Sequence, residues 1–314
     1  SMIKRFFDRS RTVHFFIPIL YLSILGFLSK EQLLFPDNYT SLILFQLPNL
    51  LFLFISLLLS AFIITKNNLT NNNSYPIIAF IIFVGFLFNN ILLPEIIFAH
   101  FLVLLGIRRA ISLKSGKQSI SKIFDASLWI SFSAILFPPS ALFLIFLLLA
   151  IFMYSSIDLR NVGLIILGAL TSILMSYLML IVFYDFISIS EFFTNLITNT
   201  IQDVDKGFSL RSIFVDTNTI IIFLILAISL ITYLISYGIK SAGNIKTLLL
   251  ISSILFIAFF INGHYMDNGS ALIYLLLPFL VLVTKLIEMT NRNWLLDLVV
   301  IFIIVFNLIN QNLF

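Results

Sequence analysis

The residues with chemistry to offer are carboxylates, cations and histidines near the ends of apolar runs. Asp203 and Asp205, followed by Lys206, carry the Asp-x-Asp spacing by which carboxylate oxygens hold a hard divalent metal against a diphosphate. Lys206 and Arg211 are suited to bind a phosphate directly. Glu31 and Asp37, in the stretch SKEQLLFPDNYT, and Glu95 are further candidates for a general base that takes a proton from an acceptor hydroxyl. His100, His264 and Asp267 complete the substrate-binding candidates. Glu95 and His100 lie five residues apart, about 140° around a helix axis, and so do not share a face. Each candidate also has a plainer role. Glu95 suits a helix start, His100 suits a hydrogen-bonded core position, and the loop acids suit a solvated turn.

The rest of the inventory is meagre. There is no cysteine, which removes disulfides, thiolate nucleophiles and thiolate metal sites together. No phosphate-cradling glycine loop and no His-Glu-x-x-His is present. With His14, His100 and His264 far apart in sequence, a histidine-ligated metal centre is not expected. No cofactor is predicted beyond a divalent cation at the outer acids.

The elements that must position these residues belong to a membrane. Of the 314 residues 10% are charged and 61% hydrophobic, where a soluble domain would carry roughly a quarter charged. A crossing helix needs about 20 apolar residues. The candidate segments are 14–29, 47–65, 77–92, 95–107, 126–137, 140–154, 162–184, 218–239, 247–263, 271–287 and 295–310. The fold class is therefore all-α, a polytopic helical protein with about eleven crossings. We expect one membrane domain over 1–314 and no soluble domain. The first apolar run lacks a small-residue cleavage site and reads as a retained helix.

Alternating the chain across the bilayer from a cytoplasmic Lys4, Arg5, Arg9 and Arg11 leaves only Lys30, Lys206 and Arg211 outside, of the 18 basic residues. This predicts the N-terminus in and the C-terminus out. The basic stretch RRAISLKSGKQSISK at 108–122 is expected as a cytoplasmic loop against anionic lipid, and TKNNLTNNNSY at 65–75 as a polar turn of low information. The basic residues sit in short loops and not on one stripe, so nucleic acid is not an expected partner.

Two stretches, 77–107 and 124–154, offer only about fifteen residues per arm, roughly 22 Å at the helical rise, and are expected as short or re-entrant hairpins. Their tips, Asn89-Asn90 to Glu95 and Pro138-Pro139-Ser140, would floor an outward-facing depression. Near 187–201, Ile189, Phe192, Phe193, Leu196, Ile197 and Ile201 recur at three- and four-residue spacing, which predicts an outer interfacial helix.

The segments IFDASLWISFSAILFPPSALFLIFLLLA and HYMDNGSALIYLLLPFLVLVTKLIE resemble an uncharacterised family of multi-pass membrane proteins from Bacteroidota, of about this length. Members are sometimes labelled carotene monooxygenase. Such enzymes use a four-histidine iron site, which three scattered histidines do not build. The resemblance supplies no catalytic motif to carry over.

The outer acids, outer cations and interfacial helix together suggest a glycosyltransferase of the membrane-embedded type, which takes sugars from polyprenyl-phosphate lipids at the outer leaflet of a bacterial inner membrane. Its partners would be that lipid and the other proteins of envelope glycan or glycoprotein assembly. The first outer loop is shorter than in many such enzymes. The alternatives are a non-enzymatic membrane subunit of an envelope complex and a lipid or solute transporter.

Overall fold

In a computed structural model of the chain the apolar runs are α-helices, the arrangement that satisfies every backbone N–H and C=O within the segment. The structure describes residues 2–9, 11–28, 47–155, 158–183, 191, 194, 195, 198, 207–214, 216–236, 242–265, 269–290 and 293–313. In chain order the helices are α1 (Met2–Phe7), α2 (Phe16–Leu28), α3 (Leu47–Lys66), α4 (Tyr75–Leu87), α5 (Pro94–Ile111), α6 (Ser119–Leu136) and α7 (Phe143–Tyr154). There follow α8 (Leu159–Phe183), α9 (Leu210–Ile213), α10 (Thr217–Ser236), α11 (Ala242–Tyr265), α12 (Leu276–Met289) and α13 (Asn293–Leu313). Among the described residues seven helical segments are long and apolar enough to cross a membrane: Leu47–Lys66, Pro94–Ser115, Ser119–Leu136, Leu159–Val182, Thr217–Ile235, Ile245–His264 and Ser270–Met289. Shorter apolar helices lie at Thr12–Gly26, Tyr75–Leu87, Pro138–Tyr154 and Asp297–Asn307. The protein is a multi-pass helical membrane protein.

The chain forms two compact units, each assembled from separate stretches of sequence. In the first (1–94, 214–248 and 272–314) α4 and α12 make the centre. All thirteen residues of α4 are buried, as is 94% of the span containing α12. A helix apolar on every side belongs inside other helices. Around this pair stand α2, α3, α10 and α13, which leave large apolar side chains outermost, among them Leu20, Phe62, Ile228 and Phe302. These face lipid.

The second unit (95–213 and 249–271) is built on the packing of α6 against α8. Lipid tails are as apolar as leucine, so small residues that allow close approach decide such contacts. Gly168 of α8 lies against Ser127 of α6, whose Oγ donates to the Ile165 carbonyl at 2.6 Å. A Cβ at Gly168 would come within 2.8 Å of the Ser127 Cβ. Gly106 of α5 similarly accepts Ile130 of α6. Only 17% of the α8 span is buried, and Ile166, Leu170, Leu174 and Met179 are exposed to lipid.

The two short hairpins differ from expectation in one arm each. α5 runs on through Arg108 and Arg109 to Ile111 and a 3-10 turn, and α6 begins at Ser119. The stretch expected as a basic loop is thus mostly helical, turning only around Gly116 (φ 67°) and Gln118 (φ 51°). The cause is local. Arg109 pairs with Asp125 at 3.0 Å, and Lys122 donates to the Ser112 carbonyl and Ser115 Oγ at 2.8 and 2.6 Å, closing the turn. The other arms, α4 and α7, remain short at 13 and 12 residues. After Leu136 the pair Pro138-Pro139 cannot continue α6, and a 3-10 turn over Pro138–Leu142 leads into α7. Ser140 in that turn is buried, its hydroxyl 2.6 Å from that of Ser133.

Of the expected interfacial helix at 187–201 only Glu191, Thr194, Asn195 and Thr198 are described. Their backbone is helical, and the threonine hydroxyls donate to carbonyls of the preceding turn.

Candidate functional site

Glu95 occupies the first turn of α5 and is exposed, where its charge complements the positive end of the helix. His100 is buried on the same helix. The two do not converge, as their angular separation requires. Glu31, Asp37, Asp203, Asp205, Lys206 and Asp267 lie outside the described residues. Among the described residues no three His, Asp or Glu side chains are grouped to hold a metal.

Two of the candidate segments do meet, in the second unit. The amide of Ser209 donates to the carbonyl of Gly263 at 2.9 Å. Phe208 lies on Gly263 so closely that any side chain there would run into its ring. The ring of His264 meets those of Phe208 and Phe260 in tilted contacts, at centroid distances of 5.2 and 4.1 Å, with Nδ1 3.3 Å from the Phe260 carbonyl. The stretch that begins after Lys206 and enters α9 with Leu210 and Arg211 is thereby fixed to the end of α11, which carries His264 and leads toward Asp267. Glycine is required at 263 because the backbone there serves as the floor for an aromatic ring. This contact joins residues more than fifty positions apart in the chain.

An extensively bonded polar group lies elsewhere, in the first unit, and sequence reasoning missed it. Glu288, at the end of α12, is 5% exposed and has both oxygens engaged. Its Oε1 accepts from the Asn71 amide at 2.8 Å and from Asn73 Nδ2 at 2.7 Å, and its Oε2 meets Lys285 Nζ at 3.3 Å. Lys4 Nζ donates to the Thr290 carbonyl at 2.8 Å, placing a cation at the negative end of α12. The Tyr75 hydroxyl donates to Asp8 at 3.1 Å, while Asn73 Oδ1 accepts from the Tyr75 amide at 3.1 Å and starts α4. Ser74 bonds His14 Nδ1 at 2.8 Å and donates to the Arg9 carbonyl at 3.2 Å. Those two bonds together call for the proton on Nδ1, with Ser74 relaying its own proton to Arg9.

The knot therefore ties the N-terminal stretch, the 67–75 turn and the end of α12 into one structure. The turn dismissed as uninformative is buried at Leu69, Thr70, Asn73 and Ser74. The available signal was Lys285-x-x-Glu288, an opposite-charge pair one helical turn apart at the end of an apolar run. Around the other end of α4, Asn90 Nδ2 donates to Asp216 at 3.0 Å, and Asn49 Nδ2 to the Leu92 carbonyl at 3.1 Å.

A family of unknown function, DUF6427, matches residues 10–312. The chain belongs to DUF6427. No curated protein and no solved structure matches it. The Glu288 knot is closed: its carboxylate oxygens and the amides around it are spent on one another, as a structural clasp requires. The contact of 207–209 with 263–264 differs, since it joins a backbone stretch and an aromatic ring to a histidine at a helix end.

Proposed function

We propose that the protein is a glycosyltransferase-like enzyme of a bacterial inner membrane that takes a sugar from a polyprenyl-phosphate lipid at the outer leaflet. In this reading the chain crosses about eleven times, N-terminus in and C-terminus out. The observation that carries it is the Ser209–Gly263 hydrogen bond, which supports one site containing both the Lys206 to Arg211 stretch and the His264 to Asp267 stretch. Sidedness is supported inside the first unit. The stretches around Lys4, Asn71 and Glu288, all assigned to the cytoplasm by alternation, bond to one another, and Asn90 bonds to Asp216, both assigned outside.

In the reaction the bond between the sugar and the lipid phosphate breaks and an acceptor oxygen bonds to the sugar carbon. The acceptor proton passes to a carboxylate, for which Asp203, Asp205, Glu31, Asp37 and Glu95 are the candidates. Lys206 and Arg211 hold the departing phosphate, and a divalent cation at the acids would share its charge. The test is sugar transfer from synthetic polyprenyl-phosphate sugar by the purified protein, with Asn or Gln at each acid in turn. Loss of transfer in one variant at normal abundance identifies the base. Undiminished transfer in all five overturns the assignment.

A non-enzymatic subunit of an envelope complex is the second reading. The Glu288 knot favours it, being a clasp in which both carboxylate oxygens are met by the protein's own groups. A stoichiometric protein partner copurifying with a transfer-inactive chain would establish it.

A further inference from the structure

The N-terminal stretch of the first unit carries three exposed arginines, Arg5 on α1 and Arg9 and Arg11 beyond it. None of the three makes a hydrogen bond or an ion pair among the described residues. Their backbone, by contrast, is clamped. The Ser74 amide donates to the Phe7 carbonyl at 2.9 Å, and the buried Ser74 hydroxyl donates to the Arg9 carbonyl at 3.2 Å. The rings of Phe6 and Phe7 meet that of His14 at centroid distances of 4.6 and 5.0 Å, so the chain between them closes into a loop. Asp8, the one acid in 2–16, accepts from the Tyr75 hydroxyl at 3.1 Å, and Lys4 is engaged at the Thr290 carbonyl. The acid and the lysine of the stretch thus serve the fold, and the three guanidinium groups are left over.

The loop leads straight into a face that meets lipid. Val13, Phe16, Leu20 and Ile24 recur at three- and four-residue spacing and are 63, 64, 63 and 46% exposed, one apolar stripe from the turn before α2 down its outer side. Arg11 stands two residues before the head of that stripe, and the exposed Phe6 follows Arg5 directly. Cations at the end of a lipid-facing stripe lie at the depth of the headgroups, and an exposed aromatic ring among them anchors in the same layer. A guanidinium fork matches phosphate with two parallel hydrogen bonds. Basic residues at that depth draw anionic lipid, whereas a zwitterionic headgroup brings its own cation and gains less. Val13 and Phe16 already set this face against the bilayer, so the anion within reach is a lipid phosphate and not a soluble acidic partner.

We propose that Arg5, Arg9 and Arg11 form a binding site for anionic phospholipid on the face of the bilayer where the N-terminal stretch lies. The guanidinium groups hold the headgroup phosphate, Val13 and Phe16 meet the acyl chains, and the Ser74 clamp fixes the loop that presents them. The site is separate from the residues assigned to sugar transfer and holds whichever chemistry the protein performs.

The test is photo-crosslinking of the full chain in nanodiscs of phosphatidylcholine and phosphatidylglycerol, with a diazirine near the glycerol of one lipid or the other and adducts located by mass spectrometry. Adducts on residues 5–16 should be at least about fivefold more frequent from the phosphatidylglycerol probe than from the phosphatidylcholine probe. Arg9→Gln combined with Arg11→Gln should lower that ratio by about half or more. Lys114→Gln combined with Lys117→Gln removes two exposed cations elsewhere and should leave it unchanged. Equal labelling by the two probes in the wild type, an unchanged ratio in the arginine variant, or the same fall in the lysine variant overturns the site. The wild-type comparison decides the matter if the arginine variant does not fold.

Discussion

Glu288 and Asn71 are 217 positions apart in the chain, yet the Asn71 amide donates to Glu288 Oε1 at 2.8 Å. A buried carboxylate is tolerable only when its oxygens are met, and here Asn71, Asn73 and Lys285 meet them. Replacing Glu288 with Ala removes the acceptor of two donors and one partner of Lys285. The expected loss is about 3 kcal/mol or more, as for other broken buried pairs. Thermal unfolding in detergent should show it, with Glu288→Gln intermediate because the amide keeps one acceptor.

Gly168 of α8 packs against Ser127 of α6. Gly168→Ala would bring a methyl within 2.8 Å of the Ser127 Cβ and 2.9 Å of the Phe124 carbonyl. Overpacking of this kind costs about 1–3 kcal/mol. Ser127→Gly in the same chain should recover part of the loss, since the backbone clash remains. A double-mutant cycle on unfolding midpoints measures that coupling.

The cations between α5 and α6 should differ in consequence. Arg109 and Asp125 form a half-exposed pair, for which about 0–1 kcal/mol is expected, so Arg109→Gln should leave abundance nearly unchanged. Lys122 is buried and holds the Ser112 carbonyl, so Lys122→Met should cost about 1–3 kcal/mol and lower membrane abundance. Quantitative immunoblotting of membrane fractions compares the two directly.

Phe208 and Gly263 test the candidate site without touching a catalytic candidate. Gly263→Val should displace the Phe208 ring and free the 207–211 stretch, lowering sugar transfer by about tenfold or more through misplacement alone. Transfer equal to wild type in a folded Gly263→Val protein would separate that contact from function.

The helices were legible in the sequence because lipid leaves a long apolar run no other stable backbone arrangement. Each expected segment holds an apolar helix, from Phe16–Leu28 to Asn293–Leu313. The ends were less legible. Arg109 and Lys122 look like loop residues by composition, and their pairing with Asp125 and Ser112 closes the turn on which the two helices end and begin. The knot was hidden for a similar reason. Asn73 and Ser74 have the composition of a solvated turn, yet both are buried, Asn73 against Glu288 more than 200 positions away and Ser74 against His14. Glu95 and His100 behaved as their angular spacing dictates, one exposed and one buried. The contact of Phe208 with Gly263 had no signal in the sequence beyond a lone glycine before His264.

In the proposed function the Lys206 to Arg211 stretch binds a lipid phosphate at the outer leaflet. Native mass spectrometry of the protein released from nanodiscs containing polyprenyl phosphate measures this directly. The account predicts a retained polyprenyl phosphate on the wild-type chain, weakened by about tenfold or more when Lys206 and Arg211 are both changed to Gln, since each charge-assisted contact is strong. Retention equal in the two proteins, or no lipid retained by the wild type, would contradict it.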